Sequence, residues 1–277
     1  MTQRSVLITG CSSGIGLDAA RGLQARGWRV FATCRQEADC ARLRETGLES
    51  FRLDYEDPDS IAAAVEETRA RNGDRLDALF NNGAYALPAA VEDLPTDGLR
   101  AIFEANFFGW HELTRRVIPV MRAQGHGRIV QCSSVLGFSA IKWRGAYVAT
   151  KYALEGLTDT LRLEMRDTPI AVILIEPGPV TSRIRVNSQP HFERWIDWEN
   201  SPRADQYRAS LLKRLYRDAG TPDRFELPPS AVTRKLVHAL ESPHPRPRYY
   251  VTTPTYLVGT LRRLLPTRAL DRVLARG

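Results

Sequence analysis

The chain has 277 residues, 43% of them hydrophobic and 26% charged, which suits one α/β domain with a well-buried core and requires no second domain. It contains no run of about 18 apolar residues, and the strand-like Ser5-Val6-Leu7-Ile8 begins almost at Met1, so neither a signal peptide nor a spanning helix is expected and the chain reads as cytoplasmic. The formal charge of +7 belongs to the end of the chain: residues 228–277 carry nine Lys or Arg against two acids, residues 1–227 are balanced, and no base-reading motif supports a nucleic-acid partner.

Residues 4–33 read as strand, glycine turn, helix and strand, a βαβ unit. Val6-Leu7-Ile8 is a short apolar run of the kind buried on both faces of a parallel sheet. TGCSSGIG follows at 9–16, Leu17 to Arg26 is helix-compatible, Gly27 ends it, and Trp28 to Thr33 is a second strand. Gly10, Gly14 and Gly16 let the backbone turn tightly and approach a pyrophosphate at the positive end of the next helix, with Ser12, Ser13 and Ile15 between them. The second strand runs into Cys34-Arg35 with no carboxylate for a ribose 2′-hydroxyl; an Arg there suits a 2′-phosphate, so NADP is favoured over NAD.

The four cysteines, Cys11, Cys34, Cys40 and Cys132, form no CxxC pair and no zinc-like spacing with histidine, so reduced thiols, no disulfide and no metal are expected. Cys11 lies in the glycine loop, where a thiolate would be favoured; filling space is the preferred reading.

The alternation continues with a strand over Glu49 to Leu53, a helix over Pro58 to Arg71 and a strand over Leu76 to Phe80 that runs into Asn81-Asn82-Gly83-Ala84. A long helix is expected from Thr96 to Gln124 with Asn106 inside it, then a strand over Arg128 to Cys132 ending in Ser133-Ser134. Tyr147 and Lys151 stand at i and i+4 and project from one helical face, where an ammonium favours the phenolate and makes Tyr147 a usable general acid and base. The sixth strand, Ile170 to Ile175, leads into Glu176-Pro177-Gly178-Pro179-Val180-Thr181-Ser182. A helix over Ser230 to Leu240 and a strand at Tyr249-Tyr250-Val251 follow. None of the five histidines, His111, His126, His191, His238 and His244, sits where a hydrolase would need its base, and surface or loop positions are expected.

TGCSSGIG, Asp54 after the third strand, FNNGA at 80–84, Asn106, Ser134, YVATK at 147–151 and EPGPV at 176–180, in this order, resemble the short-chain dehydrogenase/reductase family over nearly the whole chain. Within it, the pattern is similar to bacterial NADP-dependent aldehyde reductases and the 17β-hydroxysteroid dehydrogenase type 1 branch. The resemblance implies a single Rossmann-like doubly wound parallel sheet in the order 3-2-1-4-5-6-7. It implies that Asp54 and Tyr55 flank the adenine, and that Asn82 and Gly83 lie along the cofactor, here with NNGA where the family has NNAG. Asn106 would hold a water that links Lys151 to bulk, Ser134 would polarise the substrate oxygen with Ser133 as its rival, and Lys151 would bond the nicotinamide ribose. Pro177, Gly178 and the Val180 backbone would meet the nicotinamide, with Ser182 completing the contact unless Thr181 substitutes. A homodimer or homotetramer is implied.

Residues 183–228 carry Phe192, Trp195, Trp198, Tyr207, Tyr216 and Phe225; by resemblance they form a substrate lid, and an aromatic lid suits a lipophilic carbonyl or alcohol, although the rings could equally pack the lid on the body. In the tail, residues 253–277, Leu257, Leu261, Leu264 and Leu265 share one helical face beside Arg262 and Arg263, a pattern compatible with peripheral contact to an anionic membrane or with packing on the protein itself. The expected activity is NADP(H)-dependent hydride transfer. The rival is an NADP-sensing protein on the same fold without significant turnover.

Overall fold

The computed structural model describes residues 3–218 and 220–275. Seven parallel strands form one sheet in the order β3-β2-β1-β4-β5-β6-β7, as the sequence implies. They are β1 (Ser5–Ile8), β2 (Arg29–Cys34), β3 (Glu49–Arg52), β4 (Ala78–Asn81), β5 (Gly127–Cys132), β6 (Ile170–Glu176) and β7 (Arg248–Tyr250). The crossover helices include α1 (Gly14–Gln24), α2 (Glu37–Glu45), α3 (Pro58–Asn72), α4 (Thr96–Phe103), α5 (Gly109–Gln124) and α6 (Gly145–Glu164). Beyond β6 lie α7 (Ile184–Trp195), the short α8 (Ala204–Gln206) and α9 (Leu212–Leu215), then α10 (Ser230–Glu241), α11 (Thr253–Leu264) and α12 (Thr267–Leu274).

Alternation along the strands sorts the apolar residues to two faces. Val6, Ile8, Ala32, Phe80, Val130 and Ile173 pack with Leu23 of α1 and Val232 and Leu236 of α10. Their neighbours Leu7, Phe31, Leu79, Ile129 and Val172 pack with Ile61 of α3 and Leu113 and Val117 of α5. Both faces are therefore covered, which explains why β1, β4 and β6 are near-continuous apolar runs without polar alternation. Val6, Leu7 and Ile8 have no exposure at all, so each contributes on the order of 2 kcal/mol of transfer free energy. The start of α3 is set locally: Asp57 accepts from the Asp59 and Ser60 N–H groups, both at 3.1 Å, and Pro58 follows it.

Two helical expectations are revised. The stretch 96–124 is not one uniform helix, because residues 104–108, around Asn106, form a π turn between α4 and α5. Such a turn re-aims side chains within an otherwise continuous helix and is frequent at functional sites. The tail breaks at Leu265-Pro266 into α11 and α12, so Leu265 leaves the helix, while Leu257, Leu261 and Leu264 keep one face of α11; Leu257 and Leu264 are 56% and 72% exposed.

Candidate active site

Parallel strands bring the ends of β1, β4, β5 and β6 to one edge, and the sequence-predicted groups gather there. The glycine loop follows β1. Gly10 has φ +67°, and a Cβ on it would lie 2.6 Å from Gly83 Cα, so the β1 and β4 turns touch backbone to backbone. A Cβ on Gly16 would lie 2.9 Å from Asn82 Nδ2. Ser13 precedes α1 without capping it, which leaves the first N–H groups of that helix available to an anion. Arg35, exposed at the end of β2, makes no hydrogen bond or ion pair among the described residues.

The NNGA turn is braced from several sides. Thr9 Oγ1 accepts from Asn82 N at 2.8 Å and Gly83 N at 3.2 Å, and Trp110 Nε1 donates to Gly83 O at 2.8 Å. Tyr55 belongs to this brace: its hydroxyl bonds Thr9 Oγ1 and Asn81 Oδ1, both at 2.7 Å, and its ring packs on Trp110. The Tyr55 side chain therefore turns into the strand ends, and only its backbone and Asp54 are left to flank an adenine.

Asn106, on the π turn, donates to Tyr85 O at 2.8 Å and accepts from Tyr85 N at 3.1 Å, with a longer bond to Thr150 Oγ1. Sequence reasoning missed Tyr85, which packs in one cluster with Tyr147, and His191, whose ring stacks on Tyr85 at 3.7 Å and 7°. His191 is thus no loop bystander, and burial pushes it down to about 4, with Arg35 and Arg194 adding to the fall. Its only signal in the sequence was its place in the expected lid.

The two serines separate cleanly. Ser134 Oγ accepts from Leu136 N at 3.1 Å and is the serine that eases ionisation of the Tyr147 phenol, whereas Ser133 Oγ is buried without a partner. Lys151 is buried, donates to the Cys132 carbonyl at 2.9 Å and lies 4.1 Å from the Trp110 ring centroid. The expected pull of Lys151, 5.6 Å from the Tyr147 ring centroid, does not bring the phenol below its ordinary value in the free protein. Burial pushes the phenol well above its ordinary value, Cys132 adds to this, and the Ser134 hydrogen bond and Arg144 oppose it. The Lys151 ammonium, itself lowered by burial to about 8, is spent on the Cys132 carbonyl and the indole face. Cys11 is also settled: its buried thiol is pushed up and donates to Ile8 O at 3.3 Å, which makes it a filler and no nucleophile.

After β6, Thr181 Oγ1 donates to Glu226 Oε1 at 2.6 Å, while Ser182 faces the glycine loop, its Cβ 3.4 Å from where a Gly14 Cβ would stand. Of the two, Ser182 is the hydroxyl next to the glycine loop. Segment 183–228 resolves into both readings of its aromatics. Phe192 and Tyr207 are buried in one cluster with Tyr85, Leu87, Ile102 and Tyr147, with Trp195 and Trp198 against it, whereas Tyr216 and Phe225 are about half exposed. Tyr207 anchors the segment, accepting from Ala90 N at 2.9 Å and donating to Asp93 Oδ2 at 2.8 Å.

A family model described as short chain dehydrogenase matches residues 4–192. The chain is 40% identical over 272 residues to YbbO, an uncharacterized oxidoreductase of Escherichia coli, covering 98% of this chain and 94% of that protein. It is 34% identical to rat 17-beta-hydroxysteroid dehydrogenase type 6, covering 98% of this chain and 87% of the relative. Among solved structures it is similar to a short-chain dehydrogenase from Streptomyces avermitilis, with a TM-score of 0.79, 26% identity and coverage of 98% and 96%.

Proposed function

The chain belongs to the short chain dehydrogenase family, and from that premise we propose that it is an NADP(H)-dependent oxidoreductase interconverting a lipophilic aldehyde or ketone and its alcohol. The observation that carries the reading is the meeting of Ser134, Tyr147 and Lys151 at the sheet edge, beside a glycine loop whose following helix is uncapped. The residues suit the cofactor. Gly10, Ser12, Ser13, Gly14, Ile15 and Gly16 would hold the pyrophosphate, Asp54 with the Tyr55 backbone the adenine, and Arg35 the 2′-phosphate. Asn82, Gly83, Tyr147 and Lys151 would hold the nicotinamide ribose side, and Pro177, Gly178, Val180 and Ser182 the amide. NADP(H), when bound, supplies or takes up the hydride.

The proton belongs to the protein. In reduction, the Tyr147 hydroxyl gives its proton to the substrate oxygen, and the Ser134 hydroxyl hydrogen-bonds that oxygen as charge gathers on it. Burial keeps the free phenol protonated, which suits the donor role. Lys151 stabilises the phenolate that remains. The Asn106 side chain is consumed by Tyr85 and Thr150, so a water that returns the proton would rest on the Asn106 backbone and not on its amide. The apolar wall around Tyr147, with Leu87, Ile102, Phe192 and Tyr207, and the steroid named in the rat relative support a lipophilic substrate under a lid at 183–228.

Turnover is preferred over a sensor because Asn106, Ser134, Tyr147 and Lys151 are all present. No described helix is long and apolar enough to cross a membrane. The exposed Leu257, Leu264 and Val273, near Arg262, Arg263, Arg268 and Arg272, support peripheral contact with an anionic membrane by a cytoplasmic enzyme. Exposed Phe108, Leu157 and Leu163 support a homodimer or homotetramer. The test of the reaction is Tyr147→Phe: NADPH binding, followed by cofactor fluorescence, should persist while carbonyl-dependent NADPH oxidation falls by at least ~100-fold. Retained turnover would remove Tyr147 from the mechanism.

A further inference from the structure

The helical face that carries Tyr147 and Lys151 does not stop there. Glu155 and Asp159 continue the same i+4 stripe of α6, away from the substrate edge. Both meet Arg248 of β7, which donates to Glu155 Oε2 at 2.5 Å, to Asp159 Oδ2 at 2.6 Å and to Glu176 Oε1 of β6 at 2.5 Å. Arg248 thus meets three carboxyl groups, and the buried Glu155 Oε1, Glu176 Oε2 and Ser133 Oγ have no hydrogen-bond partner among the described residues. Gly137 lies against this group: a Cβ there would stand 2.5 Å from Ser133 Oγ and 2.8 Å from Glu155 Oε1.

We propose that Glu155 is a positioning residue for proton transfer: its carboxylate, held by Arg248, keeps Lys151 an ammonium beside Tyr147, and Gly137 leaves room for that carboxylate. The inference rests on the reading that Tyr147 and Lys151 carry the proton chemistry. The charged and titratable groups facing Glu155 are Lys151 and Asp159 on α6, Glu176 on β6, and Arg248 and Tyr250 on β7. Lys151 in turn faces Tyr147 and Cys132. Lys151 bonds only a neutral carbonyl, and Glu155, one turn further along the same face of α6, acts on it through space together with Cys132, against the burial that lowers the ammonium.

The test reads Lys151 in the free protein. The chain has four lysines, Lys142, Lys151, Lys213 and Lys235, so their Cε resonances can be assigned with a Lys151→Met control. In Glu155→Gln the Lys151 titration should move down by about one pH unit, and the alkaline limb of kcat/KM should follow it by the same amount. Glu155→Asp, which keeps the charge, should restore both. Gly137→Ala should reproduce the Glu155→Gln shift with the carboxylate still present. A folded Glu155→Gln protein whose Lys151 titrates as in the wild type overturns the proposal. So does an equal shift in Glu155→Asp, which would mark a purely structural role. If Tyr147→Phe retained turnover, the reaction scheme would fall, while the titration of Lys151 in the free protein would still judge this inference.

Discussion

Glu176 should make the protein lose stability as pH rises, and Glu176→Gln should abolish that loss. The side chain has no exposure and one partnered oxygen, with Glu155 and Asp159 adding negative charge around it. Burial, reinforced by Glu155, raises its carboxyl from 4.5 to about 8, against the pull of Arg248. Folded Glu176 therefore keeps its proton to about 8, whereas in the unfolded chain it is released near 4.5. The native state binds more protons throughout that window, so stability falls as pH rises through it. At ~1.4 kcal/mol per pH unit, the whole displacement corresponds to up to about 5 kcal/mol. In Glu176→Gln the amide retains an acceptor for Arg248 and has no proton to lose. Guanidinium unfolding at pH 5, 6.5 and 8 should show near-equal wild-type and variant proteins at pH 5, diverging until the variant leads by ~3–5 kcal/mol at pH 8. Comparing the two proteins cancels other titrating groups, including His191, whose depressed value works in the opposite direction between about 4 and 6.5. A variant destabilised equally at all three pH values would refute the argument, because Arg248 would then be stabilising an ionised Glu176.

Arg35→Asp should weaken NADPH binding by about thirtyfold, or ~2 kcal/mol, and leave NADH nearly unchanged, as fluorescence titration with each cofactor will show; equal losses would remove the 2′-phosphate contact. Tyr207→Phe leaves the Ala90 N–H without its acceptor and Asp93 without one of its donors. It should cost ~1–2 kcal/mol in stability and raise KM for the carbonyl substrate more than it lowers kcat. Thermal unfolding and steady-state kinetics check both parts, and an unchanged KM would separate segment 183–228 from substrate binding.

Much of this protein was legible along the chain. The βαβ start, the glycine loop and the Tyr147-Lys151 pair each depend on residues within a few turns of one another, where periodicity and backbone conformation decide the outcome, while the strand order was implied by the family resemblance. Tertiary structure decided what those groups can do. That Ser134 and not Ser133 meets Tyr147, that Ser182 and not Thr181 faces Gly14, and that Tyr55 turns inward were open until Thr9, Asn81, Glu226 and the β5 end were brought into place. The π turn at Asn106 and the Tyr85–His191 stack likewise follow from contacts across the cleft. Proton affinities were the least legible of all, because they depend on desolvation. Only packing reveals that Tyr147 sits in a site dry enough to hold its proton, or that Arg248, 93 residues beyond Glu155, arrives to hold its carboxylate behind Lys151.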